Sequence, residues 1–236
     1  MKRKNGLEPT TEPSDIDARI RARIEIILDF QHLTTSEPDF WSRLECFTRN
    51  LRLWGARTNL TARPDDADEI AFHIADSLAP LTLANERNSL SSTFEPRRRV
   101  LDLGSGAGFP GLILAAATRA QIALLESRRK RASFLADTSL AMRLDNVAIL
   151  HRSHLAEEER GGFETVTSRG LGAASLGLAS EALAVDGVLI LWLAADQPVP
   201  GAAKDLIMQL VEVLPYELPK GAGRAHLRLA VFQKTR

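Results

Sequence analysis

The sequence predicts an α/β fold: a mostly parallel sheet with an antiparallel last strand, placed after a helical N-terminal region. Three observations point there. From Arg99 onward, short apolar runs alternate with helix-period patterns, as a sheet covered by crossover helices requires. The run Val100-Leu101-Asp102-Leu103 opens directly into Gly104-Ser105-Gly106-Ala107-Gly108, a strand-to-turn junction. Ahead of it, apolar residues recur only at helical spacing.

Taken in order, residues 1–13 hold Pro9 and Pro13 among polar neighbours and are expected to form a flexible tail. Ser14-Asp15-Ile16-Asp17 resembles a capping box ahead of Ile20, Ile24, Ile27 and Leu28, and Ser36-Glu37-Pro38-Asp39 resembles a second ahead of Phe40, Leu44, Phe47 and Leu51. A third helical stretch from Asp66 to Leu83 carries Ile70, Ile74, Leu78 and Leu81, and Asn85 to Pro96 reads as loop. Residues 14–96 are therefore expected to form an N-terminal helical extension, and residues 97–236 the sheet domain. Within that domain, strands are expected near 99–103, 121–126, 147–151, 163–168 and 187–194. Helices are expected near 109–119, 128–143, 172–184 and 200–213, before a strand pair that turns at Gly221-Ala222-Gly223.

A chain of 236 residues suits one main domain with an extension. With 44% hydrophobic and 25% charged residues, no apolar run near the ~20 residues of a membrane helix, and no apolar stretch behind Met1-Lys2-Arg3-Lys4, the expectation is a cytoplasmic protein with no membrane partner. The 30 basic and 30 acidic residues cancel, which at first argues against a polyanionic partner. Their distribution argues otherwise, since cations cluster at Lys2-Arg3-Lys4, at Arg97-Arg98-Arg99 and at Arg128-Arg129-Lys130-Arg131. Any one such run is ordinarily a solvated face. The single Cys46 lies in a helical apolar pattern and reads as a small core residue, and His151 and His154 have no neighbouring ligands, so no metal is expected.

The glycine stretch carries the chemistry. Glycines there permit positive φ and close approach of backbone to a ligand, and the following helix start offers free N–H groups. Two ligands fit. Gly106-Ala107-Gly108-Phe109-Pro110-Gly111 satisfies the dinucleotide pattern, but Gly104 already follows the strand directly and Asp102 stands two residues before it. That spacing looks like the first motif of Rossmann-like class I methyltransferases, which use S-adenosylmethionine. Glu126, at the end of the next strand and 22 residues after Gly104, is placed to accept from ribose hydroxyls in either case.

If the ligand is a methyl donor, the acceptor can be narrowed. Methylation at pyrimidine carbon 5 needs a cysteine, and Cys46 lies in an N-terminal helix; exocyclic amines commonly require Asn or Asp followed by Pro-Pro, where this chain has Val166-Thr167-Ser168-Arg169-Gly170. Guanine N7 fits both absences, because its in-plane lone pair needs no deprotonation and the site need only orient and stabilise.

Several segments together resemble the ribosomal RNA small subunit methyltransferase G family: Trp54-Gly55-Ala56-Arg57-Thr58-Asn59-Leu60-Thr61, His73-Ile74-Ala75-Asp76-Ser77-Leu78, the glycine stretch, Leu125 to Leu135, Ser168-Arg169 and Arg224-Ala225-His226-Leu227. The resemblance implies S-adenosylmethionine as cofactor, guanine N7 of 16S rRNA in the small ribosomal subunit as substrate, and a monomer. It places Gly104, Ser105, Gly106, Gly108 and Phe109 along the cofactor, Glu126 and Ser127 at its ribose and adenine, and Arg169 beside cofactor and reaction centre as the catalytic residue. Ala156 and Glu157 match the adenine contact after the third strand if a short insertion is allowed. The chain departs from the family at Phe72 and Gly170, where arginine and alanine are usual, and at Leu193, where a lysine is usual; loss of that cation is expected to slow the reaction.

Overall fold

The computed structural model describes residues 15–30, 37–55, 58, 60–63, 65–84, 89–172, 174–201 and 207–235. The expected tail, the Ser14 and Ser36 caps, the Lys2-Arg3-Lys4 cluster and Ala56, Arg57 and Asn59 lie outside the described residues.

Among the described residues three helices come first, α1 (Asp15–Phe30), α2 (Phe40–Gly55) and α3 (Ala67–Ala84). Their buried stripes are those of the sequence pattern: Ile20, Ile24, Ile27 and Leu28, then Phe40, Leu44, Phe47 and Leu51, then Ile70, Ile74 and Leu78. Asp66 caps α3, its carboxylate accepting from the N–H groups of Asp68 (3.1 Å) and Glu69 (3.2 Å). The sheet domain then runs β1 (Arg99–Leu103), α4 (Gly111–Ala117), β2 (Gln121–Leu125), α5 (Arg129–Ala141), β3 (Val147–Leu150), β4 (Phe163–Arg169), α6 (Ala174–Ala182), β5 (Leu183–Ala194), β6 (Met208–Lys220) and β7 (Gly223–Lys234).

The seven strands lie in the order β3-β2-β1-β4-β5-β7-β6, parallel from β3 through β5, with β7 antiparallel to both β5 and β6. One expectation is corrected. A helix near 200–213 does not extend past Ile207, because β6 begins at Met208; residues 202–206 lie outside the described residues. The apolar residues of that segment pair with β7 instead, Val213 opposite Ala230 and Leu210 opposite Phe232, so long-range pairing overrides local spacing.

Side chains alternate across the sheet. Ile190, Trp192, Leu229 and Val231 face one core, which they share with α1 to α5. Leu189, Leu191, Leu193, Ala230 and Phe232 face a second, closed by Leu176 and Ala179 of α6. The N-terminal helices thus complete the larger core of the sheet domain, and Asn146 ties α4 to β2 by donating to the carbonyls of Ala115, Thr118 and Ala120. No described helix is long and apolar enough to cross a membrane.

The strand order reverses beside β1, whose neighbours are β2 on one side and β4 on the other. In open α/β sheets a ligand crevice forms at such a point, outside the carboxyl ends of the strands.

Candidate functional site

Beyond the end of β1, the N–H groups of Gly104 (2.9 Å) and Ser105 (3.2 Å) donate to the carbonyl of Leu125, tying the turn to the end of β2. Gly104 and Gly106 have φ of +69° and +54°, which L side chains adopt only under strain. Gly108 and Gly111 serve packing: a Cβ on Gly108 would fall 2.7 Å from Leu112, and one on Gly111 would fall 2.3 Å from Leu124. The hydroxyl of Ser105 is buried and donates to the carbonyl of Asp102 (3.0 Å).

Glu126 is buried, and each carboxylate oxygen holds one backbone group: the Gly106 N–H at 3.0 Å and the Arg128 N–H at 2.7 Å. Each oxygen keeps a further lone pair, so the carboxylate that shapes the turn can also accept from a ligand hydroxyl. Ser127 beside it is exposed. A Cβ added at Gly106 would sit at ordinary van der Waals distance, 3.6 Å, from the Arg131 guanidinium and from the Gly104 carbonyl oxygen. Gly104, by contrast, carries the side chain of Leu171 on top of it, within 3.1 Å of an added Cβ.

Asp102 is fully buried in β1, where it accepts from the Thr167 hydroxyl (2.9 Å) on neighbouring β4. Burial pushes its carboxyl up to about 6, against the opposing pull of its hydrogen bonds and of Arg169. Ala156 and Glu157 stand apart from this group, in the connection after β3. There the Ala156 N–H donates to Glu159 (3.0 Å), which also pairs with Arg152, while the Glu157 side chain is exposed.

Arg169 ends β4 and joins the turn to α3. Its Nε lies 3.2 Å from Asp76 Oδ2, its Nη2 donates to Nδ1 of His73, and its guanidinium carbon is 5.8 Å from the centre of the Phe109 ring. Asp76 is further held from two strands, as the Tyr216 hydroxyl on β6 donates to its carboxylate and the Trp192 indole N–H on β5 donates to its carbonyl (2.8 Å). Burial raises the Asp76 carboxyl, with Arg169 and Tyr216 pulling the other way. His73 is pushed down to about 3, chiefly by burial and then by the positive charges of Arg169 and Lys220. It is therefore neutral at physiological pH, with Nδ1 free to accept from Arg169 and the proton on Nε2, 3.3 Å from Glu69.

Sequence reading identified Arg169 and Phe109 but gave Asp76 and His73 no role and missed Tyr216. A signal was present for the first two, three residues apart on one face of α3. Tyr216, the only tyrosine in the chain, arrives from a strand whose pairing the sequence does not display.

Leu193 does not occupy the position expected of it. It is 3% exposed in the core beneath α6, on the opposite face of β5 from Trp192, and so points away from the Arg169 cluster. Its cross-strand partner Arg228 supplies a cation at that corner of the sheet, donating to the carbonyls of Ala194 (3.2 Å) and Gln197.

Among known structures, the chain is similar to one described as a candidate sarcosine dimethylglycine methyltransferase from Galdieria sulphuraria. The TM-score is 0.54 with 13% identity, covering 72% of this chain and 87% of that one, a likeness of fold alone. Relatives of known name include ribosomal RNA small subunit methyltransferase G of Aliarcobacter butzleri, 37% identical over 59% of this chain and 66% of that protein. The namesake of Borrelia turicatae is 36% identical over 54% of this chain, which spans 58% of that relative's length. A third, from Methylobacillus flagellatus, is 30% identical over 67% of this chain and 72% of its own. The family model described as rRNA small subunit methyltransferase G matches residues 41–197, and with the glycine turn, Glu126 and Arg169 all inside that match, the chain belongs to this family.

Proposed function

We propose that this chain binds S-adenosylmethionine at the Gly104 turn and transfers its methyl group to N7 of a guanine in 16S rRNA of the small ribosomal subunit. The observation that carries the reading is the positive-φ backbone at Gly106 donating to the buried carboxylate of Glu126, set at the strand-order reversal of the sheet. Glu126, with Ser127 next to it, would take the ribose, and the adenine would extend toward the end of β3 and Ala156-Glu157. Gly104, Ser105, Gly106, Gly108 and Phe109 would run along the methionine arm. Leu171 rests over Gly104, so its side chain would turn aside or pack against that arm. When bound, the sulfonium supplies an already activated methyl group.

The residues' own work is then alignment and exclusion of water. Guanine N7 needs no base to deprotonate it, and the imidazole of His73 is engaged with Arg169 rather than free for proton transfer. Arg128, Arg129 and Lys130 are exposed beside the site and suit the RNA backbone. The same reading takes residues 14–96 as a helical extension of a catalytic domain that starts near residue 97, and the protein as a cytoplasmic monomer.

Calorimetry tests the cofactor. S-adenosylmethionine should bind in the micromolar range and NAD should not, and Gly106→Val should abolish binding while thermal unfolding stays cooperative. A Gly106→Val protein that binds as tightly as the parent contradicts the assignment of the site.

A further inference from the structure

The hairpin of β6 and β7 reaches beyond the sheet. Ala194, the last residue of β5, pairs with Leu227, whereas β7 begins four residues earlier at Gly223. At about 3.3 Å per residue the tip, closed by Gly221 (φ +58°) and Ala222, overhangs the carboxyl edge of the sheet by roughly 13 Å. β4 and β5 run parallel to β1, so this is the edge on which the glycine turn lies. Tyr216 faces the core shared with α3, and alternation along β6 puts Leu218 and Lys220 on the same face. Lys220 accordingly ends over α3, its Nζ 4.7 Å from the centre of the Phe72 ring. It is exposed and forms no ion pair among the described residues. An aromatic face holds a cation in place without cancelling its charge, and the ammonium keeps N–H donors to spare. The carboxylates around it are engaged elsewhere: Asp68 with Arg23, Asp66 with Arg63 (3.6 Å), and Glu217 with Arg224 (3.0 Å) and His226 (2.9 Å). Glu69 lies 3.3 Å from Nε2 of His73. The charge of Lys220 acts together with that of Arg169 on both His73 and Asp76, which sets the exposed ammonium at the outer rim of the Arg169 cluster. A hollow of about 290 Å³ opens there between α3 and the hairpin, with Arg63, Phe72 and Lys220 in its wall.

We propose that Lys220 is a second RNA contact, its ammonium holding a backbone phosphate near the target nucleotide on the α3 side of the crevice, across from Arg128, Arg129 and Lys130 on the α5 side. This assignment rests on 16S rRNA as the substrate and adds a residue that seats it. A lysine suits the task, being a point charge on a flexible stem that follows a phosphate without selecting a base. Cations on both flanks fix the course of the strand across the glycine turn, which cations on one flank alone leave free to pivot. The overhang of the hairpin carries the charge out past the strand ends, to where a bulky polyanion can meet it.

The test measures binding of the full chain to purified small subunits lacking the modification, for the parent, Lys220→Gln, Lys220→Arg and Arg99→Gln. Arg99 is a matched control: its guanidinium carbon lies 5.1 Å from the centre of the Phe163 ring, the same device, but it opens β1 and so stands at the opposite edge of the sheet. Lys220→Gln should weaken binding roughly 3- to 10-fold at low salt, and should make the slope of log affinity against log salt shallower by about 0.7–0.9, the share of one phosphate. Lys220→Arg and Arg99→Gln should both stay within about twofold of the parent. In single-turnover methylation Lys220→Gln should raise the half-saturating concentration of subunits and leave the plateau rate within about twofold, because the contact is made equally before and during transfer. S-adenosylhomocysteine affinity, by calorimetry, should stay within about threefold of the parent. A Lys220→Gln protein with parental affinity and salt slope overturns the proposal, as does an equal loss in Arg99→Gln, which would make the effect one of net charge. A collapse of S-adenosylhomocysteine affinity also overturns it, by assigning the lysine to the cofactor. Failure of the underlying reading shows separately, in the parent, as methyl label that does not enter 16S rRNA.

Discussion

His73 sits between a guanidinium and the rings of Phe72 and Phe109, whose centres lie 5.7 and 5.4 Å away. Its pKa is depressed from 6.5 to about 3, so the stability it contributes is present above pH 6.5 and is lost as pH falls toward 3, while the unfolded chain takes up the proton and the native state does not. Nuclear magnetic resonance should show this imidazole as the Nε2–H tautomer, unchanged between pH 7.5 and about 5. A midpoint near 6.5 would mean that the ring is neither buried nor held beside Arg169 in this way. Leu193 provides the opposite kind of check. A lysine there would bury its ammonium in the core beneath α6, so Leu193→Lys should destabilise the fold by about 2–4 kcal/mol in thermal unfolding and should not raise the rate. A variant of parental stability with faster methyl transfer would return the missing cation to the substrate side.

At the scale of elements, α5 opens with Arg129, Lys130 and Arg131 and has no side-chain cap, placing cations at the end of the helix where the macrodipole is positive. The arrangement costs stability, and its position beside the glycine turn supplies the reason to keep it. Arg129→Glu should raise stability by roughly 0.3–1 kcal/mol and weaken binding to small subunits, most at low salt. Unchanged affinity at low salt would make this run an ordinary solvated face. The elements themselves differ in how far the sequence displays them. β1, β2 and the first three helices are legible because their burial follows from local period: Val100 to Leu103 is buried throughout, and α2 buries the stripe Phe40, Leu44, Phe47 and Leu51. β6 is not, because its edge position leaves Gln209, Leu210 and Val211 exposed together and blurs the alternation; only pairing with β7 makes it a strand. The site divides the same way. The glycine turn and Glu126 are adjacent in a recognisable spacing, whereas the clamp on Arg169 is assembled from α3, β5 and β6, 116 residues separating Trp192 from Asp76 and 140 separating Tyr216 from it.

Over the whole molecule, the helices before the sheet are part of how the site is built. α3 contributes His73 and Asp76 from the core that α1 and α2 help to close, and the sheet contributes Arg169, Trp192 and Tyr216 from three strands. Glycine turn and arginine clamp meet at Phe109, with Arg169 on one side of the ring and Phe47 of α2 on another at 5.1 Å. The fold thus brings a ligand-shaped turn and a polarised arginine to one edge, flanked by exposed cations, while the chain's net charge stays at zero. Transfer of methyl label from S-adenosylmethionine to purified small subunits lacking the modification, followed by borohydride and aniline scission of their RNA, tests this account most directly. It predicts label in 16S rRNA and chain cleavage at one guanine, the behaviour of 7-methylguanosine, whereas label in protein, or in RNA that resists scission, would contradict it.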